Sequence, residues 1–221
     1  MRKKSYLCSM NFKSNTNMKK CLFLFSLLLV FFSCNQPIDD YPEPVVGSYA
    51  YGADCSWISE QEADGVLFYD SLGQAADGLR VMREAGMNSV RLRVWVNHST
   101  GWCNKEDVIS KAKRAVALKL RVMIDFHYSD FFADPSRQNI PVDWADYDLA
   151  QMKQAVVDHT TDVLSALKAE GVNPEWIQVG NETRNGMLWP MGQLWNTNGD
   201  LPNGWKNYAA LTTSGYDACK A

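Results

Sequence analysis

Asn181 and Glu182 end the stretch Trp176-Ile177-Gln178-Val179-Gly180, an apolar run that turns polar within two residues. Such a run reads as a buried strand. A carboxyl group at its end can donate a proton, and an amide beside it can orient a hydroxyl group. Three further stretches end in the same way. Asp54 follows Tyr49-Ala50-Tyr51-Gly52-Ala53, Arg91, Arg93 and Trp95 punctuate Asn88–Trp95, and Asp125 and His127 end Arg121–His127. Taken singly, each is a strand running into a polar loop. Four in succession say more, because polar residues at the carboxyl ends of neighbouring parallel strands converge on one rim.

The chemistry open to such a rim is narrow. A carboxylic acid that protonates a leaving oxygen, with an amide that holds a sugar hydroxyl, is half of what glycoside cleavage needs; the other half is a second carboxylate as nucleophile or base. Arg91 and Arg93 share a strand face at period two. Two arginines cannot be buried unpaired, so their face is expected at the rim, with salt bridges to Asp54 or Asp125 as the alternative. His127 is read as touching a ligand or packed. Asp125 and His127 alone are a weak metal motif, with no second histidine at ligand spacing. Trp57, Trp95, Tyr128, Trp144, Trp189 and Trp195 fall in the loops after these strands. Aromatic rings there suit the apolar faces of sugars, although each is also a candidate for packing.

The elements that must position these residues alternate. Helices are expected over 75–85, stopped by Gly86, over 105–118, capped by Asn104 with Asp107 in the first turn, and over 150–169, stopped by Gly171 and Pro174. In the last of these, Met152, Val156, Thr160, Val163 and Leu167 recur at helical spacing. A further helix begins near Trp205. Strand, loop and helix repeat four times from about Ser48, which argues for a parallel α/β sheet.

The first 34 residues differ in kind. They hold six of the 22 Lys and Arg and no acid, leaving 16 basic against 25 acidic residues in the body. An acidic body excludes nucleic acid as an expected partner. Lys19-Lys20, then Cys21–Phe32, then Ser33-Cys34 form a basic segment, a short apolar segment and a small residue before a cysteine. That is an export signal. Ser33-Cys34 is similar to the cleavage site of bacterial lipoproteins, which implies lipidation of Cys34, membrane attachment and an exported location at the outer membrane or cell surface. Met18 is the natural start of such a signal. Residues 35–47, with Pro37, Pro42 and Pro44, read as a flexible tether. Cys55, Cys103 and Cys219 remain in the body and are expected as free thiols, with a Cys55–Cys103 bridge as the alternative.

Five motifs occur in an order that resembles glycoside hydrolase family 53. They are Gly52-Ala53-Asp54-Cys55-Ser56-Trp57, Asn88–Val96, Asp125-Phe126-His127-Tyr128-Ser129-Asp130, Gln178-Val179-Gly180-Asn181-Glu182 and Gly186-Met187-Leu188-Trp189-Pro190. The resemblance covers residues 48–221. It implies a (β/α)8 TIM barrel, of which this chain holds the first (β/α)4 half, and a retaining endo-β-1,4-galactanase acting on type I arabinogalactan. It also implies Glu182 as acid/base and Asn181 as the holder of the 2-hydroxyl. Arg91, His127, Asp54, Trp95 and Trp189 are implied around the substrate. The family's nucleophile is a glutamate late in the barrel, and no residue here matches it. Any calcium site of bacterial members also falls in that later half, so no metal or cofactor is expected. Residues 48–221 alone are expected to be inactive and prone to associate; a galactan-binding lipoprotein without turnover is the alternative.

Overall fold

The computed structural model describes residues 41–221, so Cys34, the export signal and the first part of the expected tether lie outside the described residues. Four parallel strands form one sheet in the order β1 (Gly52–Asp54), β4 (Ser89–Val94), β5 (Arg121–Phe126) and β6 (Trp176–Val179). Arg91 is level with Asp54 and Met123, and Arg93 with Asp125, which is level with Gln178. These registers place the side chains in layers.

The two faces of the sheet separate by residue type. Val90, Leu92 and Val94 of β4 and Val122, Ile124 and Phe126 of β5 are all buried. They pack in the same hydrophobic core as α3 (Lys105–Ala117) and α4 (Leu149–Ala169). Each such side chain contributes about 1.5–3 kcal/mol on burial. The alternate residues Ser89, Arg91, Arg93, Met123, Asp125 and Gln178 lie on the opposite face, where the chemistry is. Helix α4 buries Met152, Val156, Thr160, Val163 and Leu167, the five positions read from its periodicity. Its first turn is closed by a reciprocal pair: Asp148 accepts from the Gln151 amide, and the Gln151 side chain accepts from the Asp148 amide. Gly86 and Gly171 end helices α2 and α4 with positive φ, as helix stops require.

Several local expectations are corrected. The 75–85 helix starts later, as α2 (Gly78–Glu84), because Ala75 and Ala76 form strand β3 of a hairpin with β2 (Phe68–Tyr69). The long loop after β1 holds a short helix, α1 (Ile58–Ala63). Asn104 precedes α3, but its side chain does not cap it; the amide instead brackets the main chain of His98. Asp107 takes the cap's place, accepting from the Cys103 amide at 2.6 Å. Its carboxylate also holds the fully buried ammonium of Lys111 at 2.6 Å.

The expected tether is not free throughout. Glu43 pairs with Lys119 at 2.5 Å, the Gly47 amide donates to Glu175, and Arg121 donates to the carbonyls of Ser48 and Tyr49. Residues 43–49 therefore form a strap across the amino ends of the strands. Cys55, Cys103 and Cys219 are free thiols, and burial pushes the Cys55 thiol up to about 11. After β6 come two small hairpins, β7 (Gly186–Met187) with β8 (Gly192–Gln193) and β9 (Trp195–Asn196) with β10 (Gly199–Asp200), and then α5 (Gly204–Ala218). Among the described residues no helix is long and apolar enough to cross a membrane.

Candidate active site

A recess of about 500 Å³ opens at the carboxyl ends of the strands, lined by Asp54, Arg91, Arg93, His127, Gln178, Asn181 and Glu182, with Phe132, Ala133 and Asp134 from the loop after β5. All four strand ends singled out in the sequence therefore contribute to one cavity. Arg91 ties them together. One guanidinium nitrogen meets Asp54 Oδ2 at 2.5 Å, and the other donates to Asp125 Oδ2 at 2.5 Å and Asn181 Oδ1 at 2.7 Å. Ion pairs, the alternative reading for the arginines, are present.

Arg93 is nearly buried, and its contact with Asp54 is longer, at 3.8 Å. Its guanidinium lies 4.0 Å from the centre of the Trp57 ring and 4.6 Å from that of Phe132. Planar, weakly hydrated guanidinium groups suit such stacking. Burial pushes the Asp54 carboxyl up, but bonds from the Ser56 side chain and amide, with the charges of Arg93 and Arg91, outweigh it and leave Asp54 below its ordinary value. Asp54 therefore stays ionised and is a poor proton donor. Asp125 is fully buried, so it acts on its neighbours and not on a ligand.

His127 is fixed as a tautomer by its surroundings. Its Nδ1 accepts from the Ala133 amide at 3.1 Å and from the Trp95 indole at 3.3 Å. The ring proton therefore sits on Nε2, which lies 3.0 Å from Asp125 Oδ2. Both nitrogens are engaged within the protein, and the imidazole presents a wall, not a free donor. Ala133 also accepts from Asn181 Nδ2 at 2.7 Å. The main chain of one residue, through the peptide groups on its two sides, thus sets the orientation of both the histidine and the amide. Asn181 Nδ2 has a second hydrogen with no partner among the described residues.

Glu182 differs from every other charge in the recess. It is exposed, and its carboxylate has no hydrogen-bond partner among the described residues. Its main chain is left-handed, with φ 47° and ψ 42°. A side chain costs about 1–2 kcal/mol in that conformation. Strain of this kind collects where geometry serves function.

The aromatic residues divide. Trp95 is 1% exposed, packed among His98, Phe131 and Phe132, so in this structure it supports the recess and offers no free face to a sugar. Tyr128 and Trp144 are buried as well, Tyr128 sharing a hydrogen bond with Thr160 at 2.7 Å. Trp189 stands outside the recess lining, its indole donating to the Asn185 carbonyl at 2.8 Å. Trp57, 38% exposed, stays open at the rim. The sequence singled out neither Gln138 nor Ala133, whose parts are played by a buried amide and a main-chain peptide. Residue type carries no signal for the second.

The sequence pattern of glycosyl hydrolase family 53 matches residues 50–221. The chain belongs to glycosyl hydrolase family 53. It is 37% identical over 163 residues to the arabinogalactan endo-β-1,4-galactanase of Thermothelomyces thermophilus, covering 74% of this chain and 46% of that protein. Against the arabinogalactan endo-β-1,4-galactanase of Cellvibrio japonicus it is 33% identical over 204 residues, covering 91% of this chain and 51% of the relative. A solved fungal β-1,4-galactanase superposes with a TM-score of 0.69 at 37% identity, covering 76% of this chain and 48% of that one. The chain spans about half the length of the curated relatives it matches. The parallel sheet with its helices is part of the family's TIM-barrel fold, as the (β/α)4 reading expects.

Proposed function

We propose that this chain carries the acid/base half of a retaining endo-β-1,4-galactanase site. The observation that carries the reading is Glu182: an unpartnered carboxyl, held in strained backbone, on a recess where every other strand-end charge is paired. Glu182 is the proton donor to the leaving oxygen. Asn181, with one amide hydrogen spare, holds the 2-hydroxyl of the sugar, a bond that strengthens in an oxocarbenium-like transition state. Arg91 keeps Asn181 and the two aspartates in register, and His127 shapes the wall. The substrate class is the β-1,4-galactan of type I arabinogalactan, as the names of the relatives suggest.

Retaining cleavage needs a second carboxyl group about 5–5.5 Å from the first. Asp54 is tied to Arg91, and Asp125 is buried beneath it. Neither is free for that task, so the reading requires a nucleophile from a later strand of the barrel, and residues 48–221 by themselves are expected to be inactive and prone to associate. That single free carboxyl is also what a galactan-binding lipoprotein would show. We further propose export, with lipidation at Cys34 tethering the domain to a membrane; intact mass and membrane partition of Cys34→Ala test this.

The functional test is a reducing-end assay on β-1,4-galactan with the natural full-length protein. Internal cleavage giving oligosaccharides with retained anomeric configuration supports the reading. Binding without cleavage favours the lipoprotein alternative, and neither binding nor cleavage sinks both.

A further inference from the structure

Gln138 lies on the loop between β5 and α4 and is 2% exposed. Its Nε2 donates to the main-chain carbonyl of Asn181 at 2.8 Å, with the carbonyls of Asp134 at 3.4 Å and Glu182 at 3.5 Å around its other hydrogen. Its own carbonyl accepts from the Trp189 amide at 2.6 Å, which pins the Gln138 backbone from the other side. The carbonyls of Asn181 and Glu182 flank the Cα of Glu182. In helical backbone of either hand, successive carbonyls point the same way, whereas in extended backbone they point in opposite directions. A single amide group can therefore reach both while Glu182 is in a helical conformation, left-handed here, and loses one of them if Glu182 becomes extended. The carboxylate of Glu182 has no partner among the described residues, so the backbone, which fixes the direction of its Cα–Cβ bond, is what aims the side chain.

We propose that Gln138 is a positioning residue for Glu182: its side-chain amide locks residue 182 in the left-handed conformation that turns the carboxyl into the recess. This rests on the reading of Glu182 as proton donor. Gln138 touches no substrate atom; it acts through the peptide groups on either side of the acid. A strained residue needs its surroundings to determine it, and the buried amide supplies that at the cost of one hydrogen bond.

The test begins with the 221-residue chain, labelled for carbon NMR. The Cα and Cβ shifts of Glu182 report its backbone conformation. They are expected at left-handed values in the unaltered chain and displaced toward extended values in Gln138→Ala. Gln138→Glu keeps the shape and removes the donor, and should shift them likewise, which guards against a packing defect in the alanine variant. Melting of a double-mutant cycle with Glu182→Gly gives a second readout, since glycine accepts positive φ without strain. The stability lost in Gln138→Ala should be larger in the glycine background, because released glutamate recovers its backbone strain and glycine has none to recover. In the galactan-cleaving protein, kcat should fall about tenfold with KM within twofold, because misplacing a reacting group costs rate more than binding. Unchanged Glu182 shifts in both variants, or strictly additive stability losses, would overturn the proposal. Those outcomes leave the donor role of Glu182 untouched. If Glu182→Gln instead leaves turnover intact while the shifts move, the clamp stands and the donor reading fails.

Discussion

The two ends of the parallel sheet carry similar chemistry to different effect. At the amino end, Arg121 gives Nε and one terminal nitrogen to the two oxygens of Glu175 at 2.6 and 2.5 Å, and the other terminal nitrogen to the Ser48 carbonyl at 3.0 Å. Its guanidinium lies 4.4 Å from the centre of the Trp176 ring. Both oxygens of Glu175 are used, and Gly47 adds a further bond. At the carboxyl end, Arg91 is bound as tightly, but its network stops short of Glu182 and leaves Asn181 a spare hydrogen. Arginine–carboxylate pairs occur at both ends, bidentate at Arg121 and divided between two aspartates at Arg91, and so do not mark a site. What marks one is unfilled bonding capacity on strained backbone.

Variants at the two ends should therefore fail in different measurements. The largest effect is expected for Asn181→Ala, which removes the sugar-facing hydrogen and the ligand of Arg91. Galactan kcat/KM should fall by about 10²-fold or more, since 1.36 kcal/mol is tenfold and this bond strengthens by several kcal/mol in the transition state. Arg121→Met should lower folding stability by about 1.5–3 kcal/mol, the range for hydrogen bonds to charged groups, while turnover per folded molecule is unchanged. A melt combined with active-site titration separates the two. Loss of turnover without loss of stability at Arg121 would erase the contrast.

Acid should weaken the fold through neither network at first, but through the helix side of the sheet. His159 of α4 is packed edge-on to Phe126, Tyr128 and Trp144, and burial lowers its pKa from 6.5 to about 4, only partly offset by Asp162. The folded state therefore binds the proton more weakly than the unfolded one. Its contribution is complete above pH about 6.5 and is lost as pH falls toward 4. The loss is on the order of 3 kcal/mol, and His159→Phe should flatten that part of the stability profile. Asp54 and Glu175, both held below their ordinary values, add a later loss as pH falls through their lowered pKa values. The smallest effect is Lys119→Ala, which breaks the exposed pair with Glu43 and should change stability by less than about 0.5 kcal/mol.

Much of this was legible beforehand because it follows from period and residue type. The apolar alternation of β4 and β5 and the helical spacing of α4 set the buried faces, and the polar strand ends located the rim. Less was legible where a residue's role is set by contacts distant in sequence. Nothing local distinguishes residues 43–47 as a strap from a proline-rich tether; Glu175, 128 positions beyond Gly47, decides it. Trp95 reads as a rim aromatic because its strand ends there, yet the loop carrying Phe131 and Phe132 folds over it. Asn104 has the right type for a cap but is drawn back to His98, and Asp107 does the capping from one turn on. Ala133 has no side-chain functional group and still orients two site residues through its main-chain N–H and carbonyl.

The account turns on Glu182 as the proton donor, and the most direct measurement is the leaving-group dependence of Glu182→Gln in the full-length protein. On β-1,4-galactan, whose leaving oxygen must be protonated, turnover should fall by about 10²–10⁴-fold. On an aryl β-galactoside whose leaving group departs without protonation, the first bond-breaking step should proceed at nearly the unaltered rate. Equal losses on both substrates, or no loss on galactan, would contradict it.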